Sequence, residues 1–227
     1  MTEMTYRNEI KHIISPSDKQ SIIASMNAVA ARDVNVGPSG QYFIRSLYFD
    51  NFDNKVLREK IDGMNEREKF RIRYYNNDTS FIKLEKKVKR KSLGYKVTAP
   101  LTVDEAQSIV DGDIDWMDSS KHGLIVELYA KMKSELLRPK TIVDYDRTPF
   151  IFKAGNVRVT IDENIRTGIH CTDFLNPEAM TIPAGEPVII LEVKWDEYLP
   201  GVIKKAVGLQ GRRQSAFSKY QVCRIYG

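Results

Sequence analysis

Charged and apolar residues alternate along several segments of the chain, and the clearest of these runs from residue 70 to 87, FRIRYYNNDTSFIKLEKK. In an extended strand, residues two apart point to the same face. The segment Asn76-Asn77-Asp78 is typical of a turn between two strands. The pattern therefore predicts a hairpin that carries its charges on one face. These charges are Arg71, Arg73, Lys83, Glu85 and Lys87.

The same criteria predict strands and helices along the rest of the chain. Strands are predicted at 4–14, 42–49, 66–76, 79–89, 94–99, 140–147, 150–153, 157–163 and 187–195. Cap residues and helical apolar spacing predict helices that begin at Ser15-Pro16 and at the Thr102–Glu105 capping box. Helices are expected at 16–32, 54–62, 106–110, 121–137, 199–207 and 215–226, a loop at 35–40, and Pro139 is expected to end the fourth helix.

No Gly/Ser-rich linker divides these elements, and no regular strand–helix–strand alternation occurs. A single domain over residues 1–227 is expected. Eight or so strands without that alternation predict the α+β class, with one antiparallel β barrel decorated by helices. In a barrel, alternate residues of each strand face the interior.

Charge at every second position recurs in most predicted strands. It is found at Arg7, Glu9, Lys11, Arg45, Asp50, Asp144, Asp146, Arg147, Arg158, Asp162, Glu192 and Lys194. A solvated outer face explains any one such strand. Glu192 and Lys194, however, lie in the apolar run VIILEVKW, where an isolated charge is costly unless it is paired or bound to a ligand. A wide barrel with a charged, ligand-filled interior, or tunnel, explains the whole set better.

The amino-acid composition restricts the classes of ligand that we expect the protein to bind. The 227 residues carry a net charge of +5, which favours anionic ligands. Arginine and lysine with interleaved carboxylates suit a phosphate chain with a divalent metal, whereas nucleic-acid binding does not need the carboxylates. No apolar run approaches the length of a membrane span, the N-terminus does not read as a signal peptide, and the two cysteines form no metal motif. We expect a cytoplasmic protein that does not insert into membranes.

Eight short motifs in order make the chain resemble the VTC domain, the polyphosphate polymerase branch of the triphosphate tunnel metalloenzymes. They are Arg7-x-Glu9-x-Lys11-His12, Ser46-Leu-Tyr-Phe-Asp50, Lys69-Phe-Arg71-Ile-Arg73-Tyr74, Glu85-x-Lys87, Tyr145-Asp-Arg147, Val157-Arg158-x-Thr-x-Asp162, Leu191-Glu192-Val-Lys194 and Ser218-Lys219-Tyr220. The resemblance implies an eight-stranded antiparallel β tunnel barrel whose interior holds a triphosphate.

Position by position, the resemblance implies roles for the charged residues. Phosphate binding is expected from Lys11, Arg71, Arg73, Lys87, Lys96, Arg147, Arg158 and Lys219, and the strand pattern adds Arg45 and Lys194. The catalytic set would be Arg71, Arg73, Lys87, Arg147, Arg158 and Lys219. The Mn²⁺ or Mg²⁺ cofactor would be held by Glu192, with Glu9, Glu85 and Asp162 as further metal or supporting groups.

One position departs from the other branches of the superfamily. Hydrolases and cyclases begin with Glu-x-Glu-x-Lys, whereas this chain has Arg7-x-Glu9-x-Lys11, as in the VTC branch. The implied activity is therefore metal-dependent phosphoryl transfer from ATP to a growing polyphosphate, with ATP, triphosphate and polyphosphate as partners. Hydrolysis of triphosphate or nucleoside triphosphate and a non-catalytic polyphosphate-binding module are the alternatives. The oligomeric state is left open.

Overall fold

The computed structural model describes residues 6–34, 36–90, 93–208 and 211–226. Its strands are β1 (Asn8–Ile14), β2 (Ala31–Arg32), β3 (Tyr42–Asp50), β4 (Glu66–Tyr75), β5 (Asp78–Arg90), β6 (Leu93–Leu101), β7 (Arg138–Phe152), β8 (Val157–Thr167), β9 (Ile182–Pro183) and β10 (Ile189–Trp195). Its helices are α1 (Pro16–Val29), α2 (Lys55–Ile61), α3 (Val103–Asp111), α4 (Gly123–Ser134), α5 (Gly201–Ala206) and α6 (Lys219–Ile225). Short 3-10 turns cover Asp115–Ser119 and Ala154–Asn156.

All strands belong to one antiparallel sheet. Its main path runs β1-β10-β8-β7-β3-β4-β5-β6, while β2 pairs with β7 and β9 pairs with β8. The two end strands, β1 and β6, approach each other at an isolated bridge just before β1, where the Arg7 N–H donates to the Gly94 carbonyl at 3.2 Å. Within the described residues, no continuous ladder joins them. The antiparallel α+β class is therefore confirmed, and the eight-stranded barrel is confirmed only in part, because the sheet is not closed.

Two apolar cores cover the outer face of the sheet. One packs α3 and α4 against β3 to β6, and its members include Ile109, Leu128 and Phe70. The other packs α1 and α5 against β8 and β10, with Met26 and Ile203 at its centre. Because both cores lie on one side of the sheet, most charged residues at alternate strand positions lie on the other side, as the alternation predicts.

A third core lies on the inner face. Tyr220 and Cys223 of α6 pack there against Ile44 and Tyr145, and Tyr220 stacks on Tyr48 at 5.1 Å between ring centres. Helix α6 therefore closes part of the inner side of the sheet with apolar groups. Charged side chains occupy much of the remaining inner face.

The predicted caps and hairpin are confirmed. Ser15 and Asp18 form the capping box of α1, and Thr102 with Glu105 forms that of α3. Asn76 and Asn77 both have positive φ, of 52° and 57°, as the tight turn between β4 and β5 requires.

Several predicted boundaries were wrong. Helix α1 ends at Val29 rather than 32, because residues 31–32 pair with β7 instead. Pro139 does not end α4, which stops at Ser134, and lies inside β7 opposite Phe49. The predicted strands 140–147 and 150–153 form the single strand β7. The last two helices are shorter than predicted, and residues 4 and 5 of the predicted first strand lie outside the described residues.

None of the helices in the described ranges has both the length and the apolar character needed to cross a bilayer.

Candidate functional site

The strand register places charged residues from across the sheet on its inner face. The paired residues Lys11–Glu192, Arg147–Asp162 and Arg71–Glu85 all lie on this inner face. Residues two positions away along each strand lie on the same face. Basic groups clearly outnumber carboxylates on this face. The residues from the predicted site that it brings together are Glu9, Lys11, Arg71, Arg73, Glu85, Lys87, Lys96, Arg147, Arg158, Asp162, Glu192 and Lys194.

Glu85 of β5 is the centre of one cluster. Its carboxylate accepts a hydrogen bond from Arg71 Nε at 2.7 Å and from Lys96 Nζ at 2.9 Å, and Arg73 lies at 3.8 Å. Burial would raise the pKa of Glu85, but these three cations outweigh it and hold the pKa well below its usual value. Glu85 is therefore ionised and keeps the cations of β4 and β6 in place.

Asp162 of β8 is the centre of a second cluster. Arg147 donates to both of its oxygens, at 2.6 and 2.7 Å, and Lys219 donates at 2.6 Å. Burial raises the pKa of Asp162, yet Arg147 and Lys219 bring it down to about 2. Because Lys219 is the first residue of α6, this cluster joins the C-terminal helix to the sheet.

Two further carboxylates lie on the neighbouring strands β1 and β10. Glu192 pairs with Lys194 at 2.6 Å and Lys11 at 3.1 Å, while Glu9 pairs with Lys87 at 2.8 Å and Lys11 at 3.2 Å. Burial raises the pKa of both acids, but the lysines hold the pKa of each below its usual value. Burial also lowers the pKa of Lys87 to about 7, although Glu9 counteracts it.

Arg158 and Arg45 have different surroundings. Arg158 Nη2 donates to Asp33 and to the Tyr42 hydroxyl, both at 2.8 Å, beside the cluster of β1 and β10. Arg45 lies on the opposite face of β3, where it is buried against Asp144 at 2.9 Å and donates to the carbonyl of Asn176. The structure does not bring Arg45 together with the other predicted phosphate ligands.

Arg7 occupies the edge of this region. Its Nε pairs with Asp196 at 2.7 Å, and its guanidinium also contacts the carbonyl of Asn156. The residue that departs from the Glu-x-Glu-x-Lys pattern is therefore engaged with the end of β10 and not with the carboxylates of the interior.

Two residues of the inner face, Lys69 and Tyr48, were missed. Arg71 donates to the Tyr48 hydroxyl at 2.7 Å, and the Lys69 ammonium lies 5.4 Å from the Tyr48 ring centre. Burial lowers the pKa of Lys69 to about 8. Burial would raise the pKa of the Tyr48 hydroxyl, but the charges of Arg71, Lys69 and Arg73 outweigh this effect and lower that pKa to about 7. Lys69 lies two residues before Arg71, so the same period-two rule that selected Arg71 would have found it.

The carboxylates of the inner face suit a divalent cation only if a bound phosphate supplies further oxygen ligands. No cluster of three or more His, Cys, Asp or Glu side chains suited to a metal occurs in the part of the chain that the structure describes. Glu9 and Glu192 do share Lys11 and Lys194 as partners, so two ionised carboxylates converge on one region. Mg²⁺ and Mn²⁺ commonly combine one or two carboxylates with phosphate oxygens and water, so the pair suits a metal that arrives with phosphate.

The arrangement as a whole suits a polyanion. Its cations are already fixed by carboxylates and tyrosines, so little side-chain entropy remains to be lost when an anion binds. Arginine offers forked donors to phosphate oxygens, and lysine adds point charges.

Solved structures similar to this chain agree with the fold. The fold is similar to that of a candidate adenylate cyclase from Bacillus halodurans, at 12% identity and a TM-score of 0.53 over 84% of this chain and 82% of that one. It is also similar to the PH1012 protein from Pyrococcus horikoshii, at 13% identity and a TM-score of 0.52 over 95% and 98% of the two chains. At such identities the likeness concerns the fold alone.

Sequence comparison gives the family. No curated protein matches the chain significantly. The family model of the VTC domain matches residues 6–225, almost the whole length of the sequence. The chain therefore belongs to the VTC domain family.

Proposed function

We propose that the inner face of the sheet is a tunnel that binds the triphosphate of ATP and transfers its terminal phosphoryl group to a growing inorganic polyphosphate chain. The observation that carries this proposal is the set of carboxylate-centred cation clusters on strands that lie around one interior. Membership of the VTC domain family supports the same chemistry. The product would be a polyphosphate longer by one unit, and ADP would leave.

Phosphoryl transfer needs mainly positioning and charge stabilisation. Arg71 and Arg73 on β4 face the Glu85 cluster, and Arg147 with Lys219 faces them from β7 and α6. We assign these four residues to the phosphates of the donor and acceptor. An oxygen of the terminal acceptor phosphate would attack the γ-phosphorus of ATP as the bond to the β-phosphate oxygen breaks, and the cations would neutralise the charge on both oxygens.

A divalent metal fits this proposal at Glu192 and Glu9. Both carboxylates are ionised, and these two residues would hold the ion. When bound, such an ion stabilises negative charge on the phosphoryl oxygens. Glu85 and Asp162 are held directly by arginines, so we assign to them the orientation of those arginines.

The decisive assay incubates the protein with ATP and Mn²⁺ or Mg²⁺ and separates the products by length on a gel. A ladder of long polyphosphate is expected, and Arg71→Met should abolish it. Arg90→Met removes the same charge from an exposed position of β5 and serves as the matched control. Release of free phosphate alone would instead identify a hydrolase. Binding of polyphosphate without turnover would identify a non-catalytic module.

A further inference from the structure

Arg67 and Lys89 form a facing pair of like charge beside the tunnel. The register of β4 and β5 sets them directly opposite each other, two residues beyond the pair Lys69–Lys87 and on the same face. Helix α2 packs against β4, and its Lys60 is near enough that the charges of Arg67 and Lys89 lower the pKa of Lys60. We call Lys60, Arg67 and Lys89 the rim cluster; all three are half-buried.

The rim cluster has no ion-pair partner among the described residues, unlike the cations around Glu85, Asp162, Glu9 and Glu192. Arg67 donates only to the backbone carbonyl of Met64, at 2.9 Å. Glu9 acts on Lys89 at longer range, but its carboxylate is paired with Lys87 and Lys11. Like charges placed directly opposite in a sheet are destabilising.

The pKa values of the two lysines also indicate repulsion within the rim cluster. Burial lowers the pKa of Lys60, and the charges of Arg67 and Lys89 lower it further. Burial and Arg67 likewise lower the pKa of Lys89. A bound anion would relieve this repulsion, and because no carboxylate has to be displaced, its binding here costs no exchange of ion pairs.

The spacing along the hairpin shows which part of a ligand would reach the rim cluster. Facing pairs on the inner face follow every second residue, so successive pairs are about 6.6 Å apart at a rise of about 3.3 Å per residue. Arg67–Lys89 is two such steps, about 13 Å, from Arg71–Glu85. Linked phosphates repeat at a shorter interval than one step. A triphosphate held at the Glu85 cluster would therefore end before the rim.

We propose that the rim cluster binds the distal phosphates of a linear polyphosphate and makes the site prefer long chains over tripolyphosphate. The proposal rests on the proposed function, because it takes the tunnel as the place where the first phosphates bind. The ligand class is an inorganic polyphosphate with more phosphates than the tunnel cations alone can contact.

The test compares the binding of tripolyphosphate and of long-chain polyphosphate by titration calorimetry, without metal or turnover. The variant is Arg67→Met with Lys89→Met in the full chain. The control is Arg90→Met, which removes a neighbouring charge of β5 that points to the other face. A melting curve for each variant checks that it is folded. Losing two rim charges should weaken long-chain binding about tenfold and leave tripolyphosphate binding within about twofold.

The dependence of long-chain affinity on salt should also become less steep in the double variant, because fewer cations then replace the counterions of the polymer. Equal weakening for both ligands, or no weakening for either, would overturn the rim assignment while the tunnel proposal stands. A wild-type protein that binds neither ligand would overturn the proposed function, and the rim assignment with it.

Discussion

Replacing Lys69 by methionine is expected to stabilise the free protein, and to do so most strongly at acidic pH. Lys69 lies on the inner face without a carboxylate partner in the described part of the chain, next to Tyr48 and Arg71. Burial is the main cause that lowers its pKa from 10.5 to about 8. The folded protein therefore binds the proton of Lys69 less well than the unfolded chain does. Methionine has a similar length and needs no proton.

The magnitude follows from linkage. Lowering the pKa from 10.5 to about 8 corresponds to about 3.5 kcal/mol, since a tenfold change in an equilibrium constant is about 1.4 kcal/mol. Because the pKa of this base is lowered on folding, the penalty is fully present below the folded value. It is lost as the pH rises from about 8 towards 10.5. The gain from Lys69→Met is therefore about 3.5 kcal/mol at pH 6 and about 1.5 kcal/mol at pH 9.5.

Urea unfolding of the wild type and the variant at pH 6 and at pH 9.5, at the same ionic strength, measures the difference in unfolding free energy at each pH. Lys121→Met removes an exposed lysine and should change the unfolding free energy by less than about 0.5 kcal/mol at either pH. A gain that is the same at both pH values, or a loss of stability at pH 6, would refute the reasoning. The same variant should bind tripolyphosphate more weakly, because the ammonium that destabilises the free protein is then missing from the complex.

Three other outcomes are expected. Glu192→Gln should reduce metal-dependent turnover on the order of 100-fold, while the affinity for tripolyphosphate without metal stays equal or rises. The control is Glu186→Gln, which changes an exposed carboxylate. Equal turnover in the two variants would contradict the assignment of Glu192 to the metal. Arg45→Met should cost about 3 kcal/mol in urea unfolding, because it leaves Asp144 buried without its cation, yet turnover below the melting temperature should be retained. Tripolyphosphate at about 100 times its Kd should raise the melting temperature by about 5–10 °C, and no shift would show that the folded tunnel does not bind it.

Much of the sheet could be predicted because one simple rule governs it. The hairpin of β4 and β5, with its Asn-Asn turn, follows from alternation and turn chemistry alone. β7 could not be predicted as one strand, because Pro139 and Pro149 are usual breakers and only pairing with β3 and β8 shows that both are tolerated.

The residues of the candidate site could also be predicted only in part from the sequence. Charge at period two identifies a charged face but does not say which face is interior. Arg45 shares its face of β3 with the apolar residues Phe43, Leu47 and Phe49, which place it on the outer face, whereas Ser46 and Tyr48 face the interior. Reading the apolar neighbours of each charge, and not the charge alone, separates the two cases. Whether β1 and β6 pair is a contact between distant parts of the chain, and no local pattern encodes the single bridge found there among the described residues.

The interior is built from the two ends of the domain. β1 pairs along its whole length with β10, about 180 residues later, and Lys219 of α6 completes the Asp162 cluster. During synthesis, β3 to β6 leave the ribosome long before these partners exist, so their arginines and lysines emerge without the groups that enclose them. Such long-range pairing delays folding. A ribosome-bound chain that stops short of α6 would therefore carry the hairpin but not the finished site, and polyanion binding would begin only after translation of the domain ends.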